Sequence, residues 1–103
     1  MNTNCNKEIE VDERGTIAVM KWIRKNNCPS LNQTVFTHNR QPFLIVSDLR
    51  PEGIEALQRA MELHNSTWDE LPGGFKRLTG EITRRWISWT LLVDGHYYFA
   101  TNY

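Results

Sequence analysis

The stretch from Trp86 to Tyr103 constrains this chain more than any other, because Asp94-Gly95 divides it with two residues that tolerate positive φ in succession. A two-residue turn of that kind sets the pairing on either side. Val93 then opposes His96, Leu92 Tyr97, Leu91 Tyr98, Thr90 Phe99, Trp89 Ala100 and Trp86 Tyr103. Side chains alternate across the pleat, so one face carries Ile87, Trp89, Leu91, Val93, Tyr98 and Ala100. The other carries Trp86, Leu92, Tyr97, Phe99 and Tyr103, with Ser88, Thr90 and Arg84. An antiparallel sheet with one wet face alternates apolar with polar residues; this ribbon is apolar on both sides and needs cover on both.

The rest of the chain has little to cover it with. At 103 residues it makes one domain, which hides only about two-thirds of the surface its unfolded chain would expose. Asp12 and Glu13 precede Ile17, Ala18, Val19, Met20, Trp22 and Ile23, and Lys21, Arg24 and Lys25 crowd the later turns. Acid first and base last suits the helix dipole and predicts a helix over about 13–25. Gln33 to His38 and Pro42 to Ser47 read as a hairpin around Asn39-Arg40-Gln41, with Pro42 at a strand start where its missing N–H is tolerated. Pro51 opens a second helix to His64, with Ile54, Leu57, Met61 and His64 on one side. Glu52, Glu55, Arg59 and Glu62 fill the other side, Glu55 and Arg59 spaced as an ion pair.

Asn65 to Gly74 reads as a loop containing Pro72-Gly73-Gly74, a hinge rather than a phosphate cradle because a strand follows it. Phe75 to Leu78, Glu81 to Val93 and His96 to Asn102 read as strands, and Met1 to Val11 as a flexible tail rich in Asn and charge. The expected architecture is an α+β domain over residues 12–103 in the order α-β-β-α-β-β-β. Two helices pack on one face of a mostly antiparallel sheet of four or five strands. Both helices then cover Ile87, Trp89 and Leu91, and the aromatic face stays open. That makes Trp86, Tyr97, Phe99 and Tyr103 candidate binding anchors, with Arg84 and Arg85 setting orientation. The competing arrangement puts one helix on each face, or folds Trp68 and its loop over the aromatics.

Charge argues against a strongly basic or acidic partner-binder, since 12 Lys and Arg balance 12 Asp and Glu. The balance is uneven along the chain, however, with the region around the second helix net acidic. Glu52, Glu55 and Glu62 therefore form a second candidate surface, for a basic partner. Lys76, Arg77, Arg84 and Arg85 beside Trp86 resemble in composition a platform for single-stranded nucleic acid, but Glu81 lies among them and a strand edge guarded by cations explains them equally well.

His38, His64 and His96 are scattered and none of the common catalytic or nucleotide-binding motifs occurs, so the chain is expected to be no enzyme and to hold no cofactor. A small enzyme without a recognisable motif is the remaining alternative. His64 is expected at the edge of the core and His96 in solvent at the turn. Cys5, Cys28 and two histidines lack the spacing of a zinc site, and the two cysteines read as free thiols in a reducing cytoplasm. No apolar run approaches the roughly 20 residues of a membrane span, and no basic start with an apolar run behind it marks a secretory signal. The expectation is a small non-catalytic module that binds a protein partner or a second copy of itself. By analogy of size and shape it is an inhibitor or regulator of the immunity or phage-accessory kind.

Overall fold

The computed structural model describes residues 7–28, 30–79 and 88–103. Its strands are β1 (Glu8–Glu10), β2 (Thr34–His38), β3 (Gln41–Asp48), β4 (Asp69–Glu70), β5 (Lys76–Thr79), β6 (Ser88–Val93) and β7 (His96–Asn102). Its helices are α1 (Thr16–Asn26) and α2 (Pro51–His64). The strands form one sheet in the order β1-β2-β3-β7-β6-β5-β4, antiparallel throughout except that β1 runs parallel to β2. The α+β class stands. The sheet is mixed and larger than the four or five strands expected, because β1 and β4 are too short to leave a pattern in the sequence.

The terminal hairpin pairs as its turn requires: Val93 with His96, Leu92 with Tyr97, Leu91 with Tyr98, Thr90 with Phe99 and Trp89 with Ala100. Asp94 and Gly95 both have positive φ, 49° and 83°. The expected pair of Trp86 with Tyr103 lies outside the described residues, as do Gly80 to Ile87 generally. In the other hairpin Asn39 and Arg40 also both have positive φ, so His38 pairs with Gln41 and β3 starts one residue before Pro42. A bulge between Phe36 and Thr37 sets the extra residue, Phe43, opposite no partner. Phe43 and Leu44 are buried side by side as a result, where strict alternation would expose one of them.

One face of the sheet packs on α1. Val19, Met20 and Ile23 recur at helical spacing and are buried against Phe36, Leu44, Val46, Leu91, Tyr98 and Ala100, while Trp22 meets the Phe36 ring edge-on with centroids 5.6 Å apart. The helix begins at Thr16, after Gly15 at φ 132°, and its first turn holds no acid. Asp12 and Glu13 stop short of it, so burial rather than the dipole accounts for this end. At the other end Arg24 makes several ties at once. Its guanidinium grips the Asp94 carboxylate (2.9–3.2 Å), donates to the Gly73 carbonyl (2.8 Å) and lies 4.0 Å over the Phe75 ring. Those contacts fasten α1 to the β6–β7 turn and to the short 3-10 turn Pro72–Gly74.

α2 lies on the opposite face, contrary to the expectation that both helices share one. Leu57, its only buried side chain, closes on Ser88, Thr90 and Phe99, which project away from Trp89, Leu91 and Ala100 because Thr90 pairs with Phe99 and Leu91 with Tyr98. Trp68 adds to this cover, its ring 6.0 Å from that of Tyr97. Two apolar faces each draw their own layer, which is the competing arrangement weighed above.

The end of the expected tail is structured: Ile9 and Val11 are buried between exposed Glu8, Glu10 and Asp12, and the backbone ties in through Val35 N–H to the Lys7 carbonyl (2.7 Å) and Val11 N–H to the Thr37 carbonyl (2.9 Å). The expectation of free thiols is overturned as well. Cys28 is buried and held in a disulfide, and Cys5 is the sequence's one other cysteine. Sequence spacing identifies frameworks of several bridges and is blind to a single bond between distant residues. Among the described residues no helix is long and apolar enough to cross a membrane.

Candidate interaction surface

The face under α2 is covered in part. On β7, Tyr97 stands beside Leu92 and Phe99 between Thr90 and Ser47, and both rings remain partly exposed. Tyr103 follows on the same alternation, anchored by its N–H to the Phe43 carbonyl (3.3 Å), and is 68% exposed. A neighbouring row of Val35, Ile45 and Thr101, paired across β2, β3 and β7, is partly exposed too. Above the sheet, α2 buries Leu57 alone and leaves Leu63 80% exposed. Between helix and sheet runs an apolar crevice of about 130 Å³, lined by Leu49, Gly53, Ala56, Leu57, Ser88, Trp89, Thr90 and Phe99.

Of the residues singled out from the sequence, the structure brings Tyr97 and Phe99 together on this face and sets Tyr103 at its end. Trp86, Arg84 and Arg85 lie outside the described residues. Val35 and Ile45 were missed as contributors, although they are visible as a pair once the β2–β3 turn is placed at Asn39-Arg40. No family model, curated protein or solved structure matches this chain.

The basic residues of β5 do not form a common platform. Successive strand residues face opposite sides, and Arg77 is drawn beneath the start of α1, its Nη1 3.5 Å from Thr16 Oγ1 and its Nη2 3.9 Å from Asp69 Oδ2. Among the described residues the ion pairs are Arg24–Asp94 and Arg77–Asp69, and His96 stands beside Asp48. None involves α2, so the Glu55–Arg59 pair is not formed. His64 is exposed at the end of α2 rather than at the edge of the core, because the inward stripe reaches burial only at Leu57.

Titratable groups gather at the opposite end of the sheet, where Arg24, Cys28, Asp94, His96 and Tyr98 border a cleft of about 240 Å³. His96 is exposed, as expected, with Nε2 3.4 Å from Asp48 Oδ1 and its ring against Tyr98 at 4.7 Å. The buried Tyr98 hydroxyl donates to the Cys28 carbonyl (2.9 Å). Loss of solvent, with Asp48 and Asp94 nearby, pushes this phenol up to about 12, so it stays a donor at neutral pH. No three His, Cys, Asp or Glu side chains converge among the described residues, and Cys28, being in a disulfide, offers no thiolate to a metal.

Proposed function

We propose that this domain is a non-catalytic binding module that docks on another protein through the sheet face opposite α1, with Tyr97, Phe99 and Tyr103 as its aromatic anchors. The observation that carries the reading is the unequal cover of the two faces. α1 buries three side chains against its face, whereas α2 buries one and leaves aromatic and branched side chains of the other face in contact with water. Contiguous surfaces of this kind mark interaction sites, and Trp and Tyr dominate the energetics of interfaces. Size and shape fit a small inhibitor or regulator, of the immunity or phage-accessory kind, which is an argument from analogy. The disulfide at Cys28 supports an oxidising compartment over the reducing cytoplasm that the sequence suggested.

The test is recovery of bound partners with wild type and with Tyr97→Ala and Tyr103→Ala side by side. Each substitution is expected to lower affinity by at least about tenfold, in line with loss of an interface anchor, while Tyr103→Ala leaves the melting temperature unchanged. Undiminished association of both variants would remove this face from the interface.

A further inference from the structure

We propose that the seam between α2 and the sheet receives a basic segment of the partner protein, which inserts one apolar side chain beside Phe99. This rests on the reading of the α2 face as the docking surface and names what that face accepts. The crevice there is about 130 Å³ and walled almost wholly by carbon. That is the size of a single large apolar side chain: a cavity of about 150 Å³ with similar walls admits benzene. Two small residues of α2 line the crevice. A Cβ on Gly53 would stand 2.9 Å from Leu49 Cδ1, so glycine there lets Leu49 close against the helix as one wall of the crevice, and Ala56 is exposed at the mouth.

Two turns further along the same side of the helix, Leu63 stands 80% exposed and extends the apolar strip beyond the crevice. Charge decides the occupant. Glu52, Glu55 and Glu62 are exposed along α2 and take part in none of the ion pairs among the described residues, with Arg59 the one Lys or Arg in the helix and Arg50 at its N-cap. A segment carrying Lys or Arg around an apolar residue satisfies both the unpaired carboxylates and the crevice; an acidic one would be repelled.

The experiment is selection of a displayed library of random peptides, about a dozen residues long, on the folded, oxidised domain at roughly physiological salt. Enriched peptides should be net basic with an aliphatic or aromatic residue among the cations. Ala56→Phe, which fills the mouth of the crevice from an exposed position, should weaken them at least about tenfold. The double variant Glu55→Lys/Glu62→Lys, on the outer side of the helix, should do the same without touching the crevice. Enrichment of neutral or acidic peptides, the absence of enrichment, or basic peptides indifferent to both variants overturns the proposal. So does self-association that Ala56→Phe abolishes, since a second copy would then occupy the seam. Peptides that ignore Ala56→Phe but are lost on Tyr103→Ala would refute the crevice and leave the broader docking face standing.

Discussion

Tyr98 stands on the α1 side of β7 and spends its hydroxyl on the Cys28 carbonyl, inside the core. Because its folded pKa of about 12 lies above the ordinary value of 10.0, the tyrosine contributes stability that is complete below pH 10 and is lost as pH rises through about 12. Unfolding measured across that window should show stability falling in wild type and a flatter profile in Tyr98→Phe. The variant should also be less stable at neutral pH by about 1 kcal/mol for the lost hydrogen bond. An unchanged alkaline slope in Tyr98→Phe would contradict this assignment. Arg40 is a residue the sequence could not explain: nothing in an arginine announces a positive φ. It holds φ 63° where its N–H and that of Asn39 donate to the Glu10 carboxylate, 3.1 and 2.7 Å away. The Thr37 hydroxyl donates to the same carboxylate and, with those two N–H groups and His38, holds it below the usual value against the opposing effect of desolvation.

At the scale of elements, that carboxylate holds β1 to the β2–β3 turn beside the backbone bonds at Val11 and Val35, and the disulfide at Cys28, for which Cys5 is the sequence's one other cysteine, adds a covalent constraint. Bonds of this kind act by narrowing the unfolded or detached ensemble; for a loop of about 15 residues the effect is roughly 3 kcal/mol, a hundredfold in population. Reduction, or Cys28→Ser, should therefore speed hydrogen exchange at the Val11 and Val35 amides, which bind the β1–β2 backbone, by about ten- to a hundredfold. Amides of β6 and β7 should be unaffected; equal protection before and after reduction would show that β1 needs no such tie. Strands of ordinary length were legible in the sequence, and so were both helices, since their patterns span several turns or alternations. β1 and β4 were not, because three and two residues carry no period. The start of α1 was misplaced because Asp12 and Glu13 suggested a helix terminus that Gly15 sets three residues later.

For the whole molecule, the two-sided apolar character of the last hairpin was the most informative feature, and it was legible to the level of individual residue pairs. What it could not specify was how two helices divide between two faces. That depends on how each helix packs: α1 buries three side chains between flanking clefts of about 230 and 240 Å³, while α2 buries one beside a crevice of about 130 Å³. Tyr97, Phe99 and Tyr103 could be found from alternation alone; Val35 and Ile45 join them only through a strand order that brings β3 beside β7. The central claim is that the α2 face, and not the α1 face, meets the partner. Site-specific photo-crosslinking from a benzophenone side chain at Tyr103, compared with one at exposed Lys21 on α1, reads this directly. The account predicts a covalent adduct to a partner protein from position 103 and none from position 21. Adducts from position 21 alone would contradict it.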